Sequence, residues 1–265
     1  MADPERDTVH RFDNRVDDYA KARPSYPAEA IAAMLRGLGH PPMLTVADVG
    51  AGTGIMSRLI ADKGPLVVAV EPNEKMRAKA EPYERMIWQK GSAEATGLGD
   101  GSVNLVVCAQ SFHWFDRPAA LAEFKRVLRT VGRLALVWNE VDTDDPLGAV
   151  YRRVVDDAAD DEAPRRRHAI GANPFEGDTQ FCEVRCEVFR YEQVLTVEGL
   201  VRRAMSASYA PKDGPKHDEM ISALRAAHAE HAREDGTAVL RYRTAVWMAE
   251  PRPADAIDLK LRRGE

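Results

Sequence analysis

Between residues 44 and 138, five short apolar runs alternate with stretches of helical period. The runs cover residues 44–49, 66–70, 86–88, 103–109 and 134–138. The stretches at 54–62, 73–80 and 116–128 read as helices, the last with Leu121, Phe124, Val127 and Leu128 inward. Apolar runs with little polar alternation suit strands buried on both faces. Such strands, separated by helices, build a parallel sheet covered on both sides and joined by right-handed crossovers.

A helix over 28–38 precedes the series. Pro27 opens it, Ile31, Met34, Leu35 and Leu38 share one face, and Gly39, Pro41 and Pro42 stop it. Gly132 is read as lying just past the helix that ends at Leu128. Beyond Asn139 the pattern changes. Residues 142–180 are rich in Asp and Arg, with a helix near 146–159. A strand is expected over 184–196, helices over 197–208 and 216–234, and a last strand over 238–248. Met220, Ile221, Leu224 and Ala227 form the inward face of the second of these helices. The expected organisation is a single domain, 1–265, with an N-terminal lid segment at 1–27. Residues 140–182 and 200–236 add helices over one edge and form an acceptor pocket.

Asp48-Val49-Gly50-Ala51-Gly52-Thr53-Gly54 directly follows the first strand and opens a helix. Glycines there allow tight turning and close approach of a ligand, and the helix start adds unpaired N–H groups. Glu71 ends the second strand, where a carboxylate can accept bonds from both hydroxyls of a ribose. Two cofactor classes share that geometry. Dinucleotide enzymes use G-x-G-x-x-G; here the third glycine comes one residue early and Ile55 takes the sixth place. No tyrosine has a lysine four residues later, as a short-chain dehydrogenase would require. Asp48 sets a negative charge near the ligand, which suits a cationic amino acid better than a pyrophosphate. S-adenosylmethionine carries both an ammonium and a sulfonium.

These residues and four further segments resemble the class I S-adenosylmethionine-dependent methyltransferases, most clearly over residues 10–140. The segments are Val70-Glu71-Pro72, the run GSAEATGL at 91–98, the run VNLVVCAQSFHWFD at 103–116, and the run LRTVGRLALVWN at 128–139. Phe12, Tyr19, Arg23, Tyr26 and the run from His113 to Asp116 resemble a small-molecule subgroup that includes trans-aconitate methyltransferase-like proteins and fungal thiol methyltransferases. The resemblance implies a Rossmann-like α/β fold with a seven-stranded sheet in the order 3-2-1-4-5-7-6, the last strand antiparallel. It also implies a cofactor site: Asp48, Gly50, Ala51, Gly52 and Gly54 around the methionyl and ribose, and Glu71 on the ribose hydroxyls. Pro72 and Met76 would lie on the adenine, with Ser92, Ala93 and Glu94 at its edge and Gln110 nearby.

Methyl transfer needs an aligned, electron-rich acceptor and exclusion of water. A base is required only for an acceptor that is protonated at working pH. His113, just after the fourth strand, is the candidate base; the other six histidines are assigned to loops and exposed helix faces. Tyr19, Arg23 and Tyr26 are read as a lid, with Arg23 able to pair with a carboxylate. Trp114 and Asn139, the latter ending the fifth strand, are candidates to touch the acceptor. Ser206, Ser208 and Tyr209 are weaker ones, and Trp138 reads as core.

The full chain has 265 residues and a net charge of -5. A broad nucleic-acid binder would need a basic face, and the run Arg165–His168 reads as a solvated loop. No apolar run approaches the ~20 residues of a membrane span, and the polar N-terminus lacks a signal-peptide core. Three cysteines make no disulfide framework. Cys182 and Cys186 lack further zinc ligands, so no metal is expected. The expectation is a cytoplasmic enzyme without nucleic-acid or membrane partners that methylates an oxygen or sulfur of a small molecule. Three alternatives stand beside it: a catalytically silent S-adenosylmethionine-binding scaffold or sensor, an NAD(P)-dependent oxidoreductase, and an RNA methyltransferase.

Overall fold

The computed structural model describes residues 24–159, 173–207 and 209–253. Strands β1 (Thr45–Val49), β2 (Leu66–Val70), β3 (Met86–Gln89), β4 (Val103–Ala109), β5 (Leu128–Val141), β6 (Phe181–Leu195) and β7 (Ala238–Pro251) form one sheet. Its order is β3-β2-β1-β4-β5-β7-β6. The first five strands are parallel, with Val49 beside Val70, Val70 beside Gln89, and Asp48 beside Val107. Strand β7 runs against β5: Asp142 N–H donates to Arg241 O (2.8 Å), Asn139 meets Thr244, and Arg133 meets Glu250. It also runs against β6, where Arg252 N–H donates to Gln180 O. The sheet is therefore mixed, in the order that the family resemblance implies.

The helices are α1 (Ala28–Leu35), α2 (Ile55–Ala61), α3 (Glu74–Ala78), α4 (Arg117–Val127), α5 (Pro146–Ala158), α6 (Val197–Met205) and α7 (Pro215–His231). Asn73, Asp116, Asp145 and Thr196 cap α3, α4, α5 and α6 through their side-chain oxygens. Each such cap is worth about 1 kcal/mol. Helix α1 stops three residues before Leu38. Gly37 is left-handed (φ 81°), and the Arg133 guanidinium donates to the carbonyls of Met34 and Arg36.

Two compact units divide the chain. Among the described residues, the first holds 28–138, 173–187 and 245–253. It carries the centre of the sheet: Val46, Ala47, Val67, Ala69, Leu105, Val106, Leu134 and Leu136 are all fully buried. Burying one such Leu or Val contributes about 1.5–3 kcal/mol. The second unit holds 24–27, 139–159, 188–207 and 209–244. Its own core joins Leu147, Tyr151 and Val155 of α5, Leu200 and Ala204 of α6, and Met220, Leu224 and Ala227 of α7 with Leu240 and Tyr242 of β7.

Several expectations need correction. The fifth strand starts at Leu128, directly at the end of α4, rather than at Leu134. Residues 129–132 bulge out between the pairs Val103–Leu128 and Leu105–Arg133, and Gly132 lies inside that bulge. A Cβ on Gly132 would stand 2.8 Å from Arg129 O, so the glycine serves the bulge and not a helix stop. His228 is not exposed: it is buried in α7 with Nε2 3.1 Å from Leu195 O, and it takes an inward place beside Leu224 while Ile221 turns half out. Asn139 does not end its strand, which continues to Val141.

Candidate active site

The carboxyl ends of β1, β2, β3 and β4 lie side by side, the edge at which open α/β sheets bind ligands. From β1, the chain turns through Gly50 (φ 71°), Gly52 (φ 58°) and Gly54 (φ 79°) into α2. All three are left-handed, a conformation that side chains resist. At Gly50 there is a second constraint. A Cβ would lie 2.6 Å from the Ser111 Cβ and 3.1 Å from the Phe115 ring. Ser111, which follows β4, donates its hydroxyl to Val49 O (2.9 Å). The glycine loop and the post-β4 segment are thus locked together at that point.

Asp48 is buried beneath the loop. Ser57 Oγ of α2 donates to its Oδ2 at 2.5 Å, whereas Oδ1 has no hydrogen-bond partner among the described residues. Burial raises its pKa from 3.8 to about 7; the Ser57 bond opposes this and the Glu71 charge adds to it. Thr53 Oγ1 is likewise buried without a partner among the described residues.

Glu71, 7 % exposed, closes β2. Its Oε2 accepts from Gly52 N–H (2.8 Å) and its Oε1 from Asn73 N–H (2.9 Å). Each oxygen keeps a further lone pair. Burial raises the pKa of this carboxyl against the pull of the two amides and Arg77. Arg77 of α3 donates to the carbonyls of Glu71 (2.6 Å) and Pro72 (2.8 Å), fixing the turn. Pro72 is half-buried and Met76 buried.

After β3, residues 91–96 fold into a tight loop. Ser92 N–H donates to Ala95 O (3.1 Å), and Ala95 N–H to Ser92 Oγ (3.2 Å). Ala93 is buried; Glu94 Oε1 accepts from Asp116 N–H (3.0 Å). Gln110, at the end of β4, is left-handed (φ 58°) and donates its N–H to Val137 O. His113 and Trp114 share the short 3-10 turn Phe112–Trp114, half-buried, with ring centroids 4.7 Å apart.

A model for a methyltransferase domain matches residues 47–136, the span from β1 into β5. An uncharacterized methyltransferase of Mycobacterium tuberculosis is 33 % identical over 239 residues, 88 % of this chain and 93 % of that protein. The chain belongs to the class I S-adenosylmethionine-dependent methyltransferases. An uncharacterized methyltransferase-like protein of Schizosaccharomyces pombe is 32 % identical, across 80 % of this chain and 83 % of its own length. A solved structure from Anaeromyxobacter dehalogenans, described as a type II methyltransferase, shares the fold at a TM-score of 0.62. It is 24 % identical and covers 87 % of this chain and 97 % of that one.

The methyltransferase cofactor is S-adenosylmethionine, and the residues present fit it. The glycine cradle leaves no room for a side chain at Gly50, Asp48 keeps a buried oxygen without a partner among the described residues, and Glu71 keeps lone pairs beyond the Gly52 and Asn73 amides. Family membership removes the oxidoreductase alternative.

On the cofactor side, Gly50, Ala51, Gly52, Gly54, Glu71, Pro72, Ser92, Ala93, Glu94 and Gln110 lie on the segments that follow β1 to β4, with Asp48 near the end of β1 and Met76 in α3. The acceptor candidates are scattered. Tyr19, Arg23 and Ser208 lie outside the described residues, as does Arg165–His168. Tyr26 is half-buried in the second unit. Asn139 is buried there too, its Nδ2 donating to Ser25 O (3.0 Å) and its Oδ1 accepting from Thr244 Oγ1 (3.0 Å). Ser206 donates to Arg203 O.

Sequence reading passed over Ser111, Arg77 and Gly91. A Cβ at Gly91 would stand 2.5 Å from Thr96 O, so the 91–96 loop closes only around glycine. The signal was present: Gly91 opens the segment GSAEATGL. Among the described residues no group of His, Cys, Asp and Glu could hold a metal ion, and no helix is long and apolar enough to cross a membrane.

Proposed function

We propose that this methyltransferase transfers its methyl group to an oxygen or sulfur of a small molecule. The observation that carries the cofactor half of this reading is Glu71, held by the Gly52 and Asn73 amides at the carboxyl edge with lone pairs to spare. In this reading Glu71 binds the ribose hydroxyls. Asp48, Gly50, Ala51, Gly52 and Gly54 surround the methionyl and ribose part. Pro72 and Met76 pack on the adenine, Ser92, Ala93 and Glu94 meet its edge, and Gln110 stands nearby.

S-adenosylmethionine supplies an electrophilic methyl on a cationic sulfur. The residues of the chain position and shield. Asp48 stands at the cationic methionyl end, Glu71 holds the ribose, and the Trp114 ring beside His113 excludes water. His113 removes the acceptor proton where the acceptor carries one at working pH; a carboxylate or an acidic thiol needs no such help. Tyr19, Arg23 and Tyr26 are assigned to the acceptor. Asn139 serves it by holding the end of the N-terminal segment at Ser25.

The net charge of -5 favours a small acceptor over RNA. Incubation with methyl-labelled S-adenosylmethionine and a panel of thiols, carboxylic acids and phenols tests the reading. Label transfer to one of these classes is expected. Transfer only to bulk RNA or to protein would overturn it.

A further inference from the structure

An inward-facing helix position should be apolar, yet the buried face of α4 carries Glu123 among Ala120, Leu121, Phe124 and Val127. Its side chain is 9 % exposed. A buried carboxylate is costly unless fully hydrogen-bonded, and this one is. Its Oε1 accepts from Thr96 N–H (2.9 Å), Thr96 Oγ1 (2.6 Å) and an Arg126 guanidinium nitrogen (2.8 Å); its Oε2 accepts from Arg126 Nε (2.7 Å). The Arg126 guanidinium also donates to Leu98 O (2.8 Å) and pairs with Asp100. Thr96 is fully buried and takes Leu98 N–H on its hydroxyl (3.2 Å). Everything in this cluster bears on one stretch of chain, residues 96–100. That stretch closes the loop holding Ser92, Ala93 and Glu94, because Gly91 packs against Thr96 O.

We propose that Glu123 is a positioning residue for cofactor binding: through Thr96 it fixes the loop at 91–96, and so sets how well the enzyme selects adenine over other bases. The inference rests on the assignment of that loop to the adenine. Glu123 touches no ligand itself. A loop held from below by a charge-assisted cluster loses little conformational freedom when the base arrives, so affinity for the right base rises. Arg126 holds the Glu123 carboxyl down at about 2, so the clamp stays ionised at every pH at which the enzyme can be assayed.

Thr96→Val removes the hydroxyl at nearly constant volume, and Thr96→Ser restores it. Glu123→Gln turns an amide donor toward Arg126 and breaks the other half of the cluster. Calorimetric Kd values for S-adenosylhomocysteine and S-inosylhomocysteine are measured for each, with thermal unfolding alongside. The wild type should prefer the adenine compound. Thr96→Val and Glu123→Gln should weaken it about tenfold and shrink the preference at least threefold, while Thr96→Ser stays within twofold of wild type. Equal loss for both compounds, with the preference intact, would reduce Glu123 to a structural role and overturn the proposal. Absence of any preference in the wild type would instead overturn the assignment of the loop to adenine. Should Glu123→Gln fail to fold, the two Thr96 variants decide the question.

Discussion

Asp48→Asn should remove the pH dependence that the buried carboxyl imposes on folding. In the folded chain Asp48 titrates at about 7 instead of 3.8, because burial disfavours its charged form. The neutral form is the stabilising one. Its contribution is complete below the unfolded value of 3.8 and is lost as pH rises toward about 7. At about 1.4 kcal/mol per tenfold change in acidity, the full loss is on the order of 4 kcal/mol, of which about 3 falls between pH 5 and pH 8. An asparagine escapes that loss. Its carbonyl can still accept from Ser57, but its NH2 takes the place of an oxygen without a partner among the described residues, at a cost of about 1–3 kcal/mol. The variant should match or fall below wild type at pH 5 and exceed it at pH 8. Urea unfolding of both proteins without cofactor, at the two pH values, reads the difference; titrations shared by both cancel. A variant-minus-wild-type stability that is the same at both pH values within about 1 kcal/mol would refute the assignment of the raised pKa to Asp48.

Other perturbations test the cradle and the base. Gly50→Ala should abolish detectable S-adenosylhomocysteine binding, since its Cβ would stand 2.6 Å from Ser111 Cβ on a left-handed backbone; retained binding would place the ligand elsewhere. Ser111→Gly should partly restore a Gly50→Ala protein, and no recovery in calorimetry would argue against that clash as the cause. Glu71→Ala should weaken the ligand by about 1–3 kcal/mol, the range for a hydrogen bond to a charged group, and an unchanged Kd would detach Glu71 from the ribose. His113→Ala should lower kcat with little change in cofactor Kd for a protonated acceptor; equal turnover would leave His113 a structural role.

The central fold was legible because its signals are local. Runs such as 66–70 and 103–109 coincide with β2 and β4, as they must when both faces of a strand are buried. The cofactor loop was legible for a similar reason: glycines at alternate positions and an acid at a strand end are constraints that neighbouring residues impose. What escaped depends on partners distant in sequence. The early start of β5 rests on a bulge accommodated by Asn104 O and Arg129 O around Gly132. His228 is inward because Leu195 O, 33 residues away, accepts its ring. Asn139 reads as a strand end until Ser25 and Thr244 are found beside it. Glu123 carries no local signal, since its partner Thr96 stands 27 residues away.

The most direct test of the account is calorimetric titration of the full chain with S-adenosylhomocysteine, with NADH as the control. Saturable one-site binding of S-adenosylhomocysteine, lost in Gly50→Ala and weakened in Glu71→Ala, with no heat from NADH, is the predicted result. Binding that survives both substitutions unchanged would contradict the placement of the cofactor at the carboxyl edge of β1 and β2.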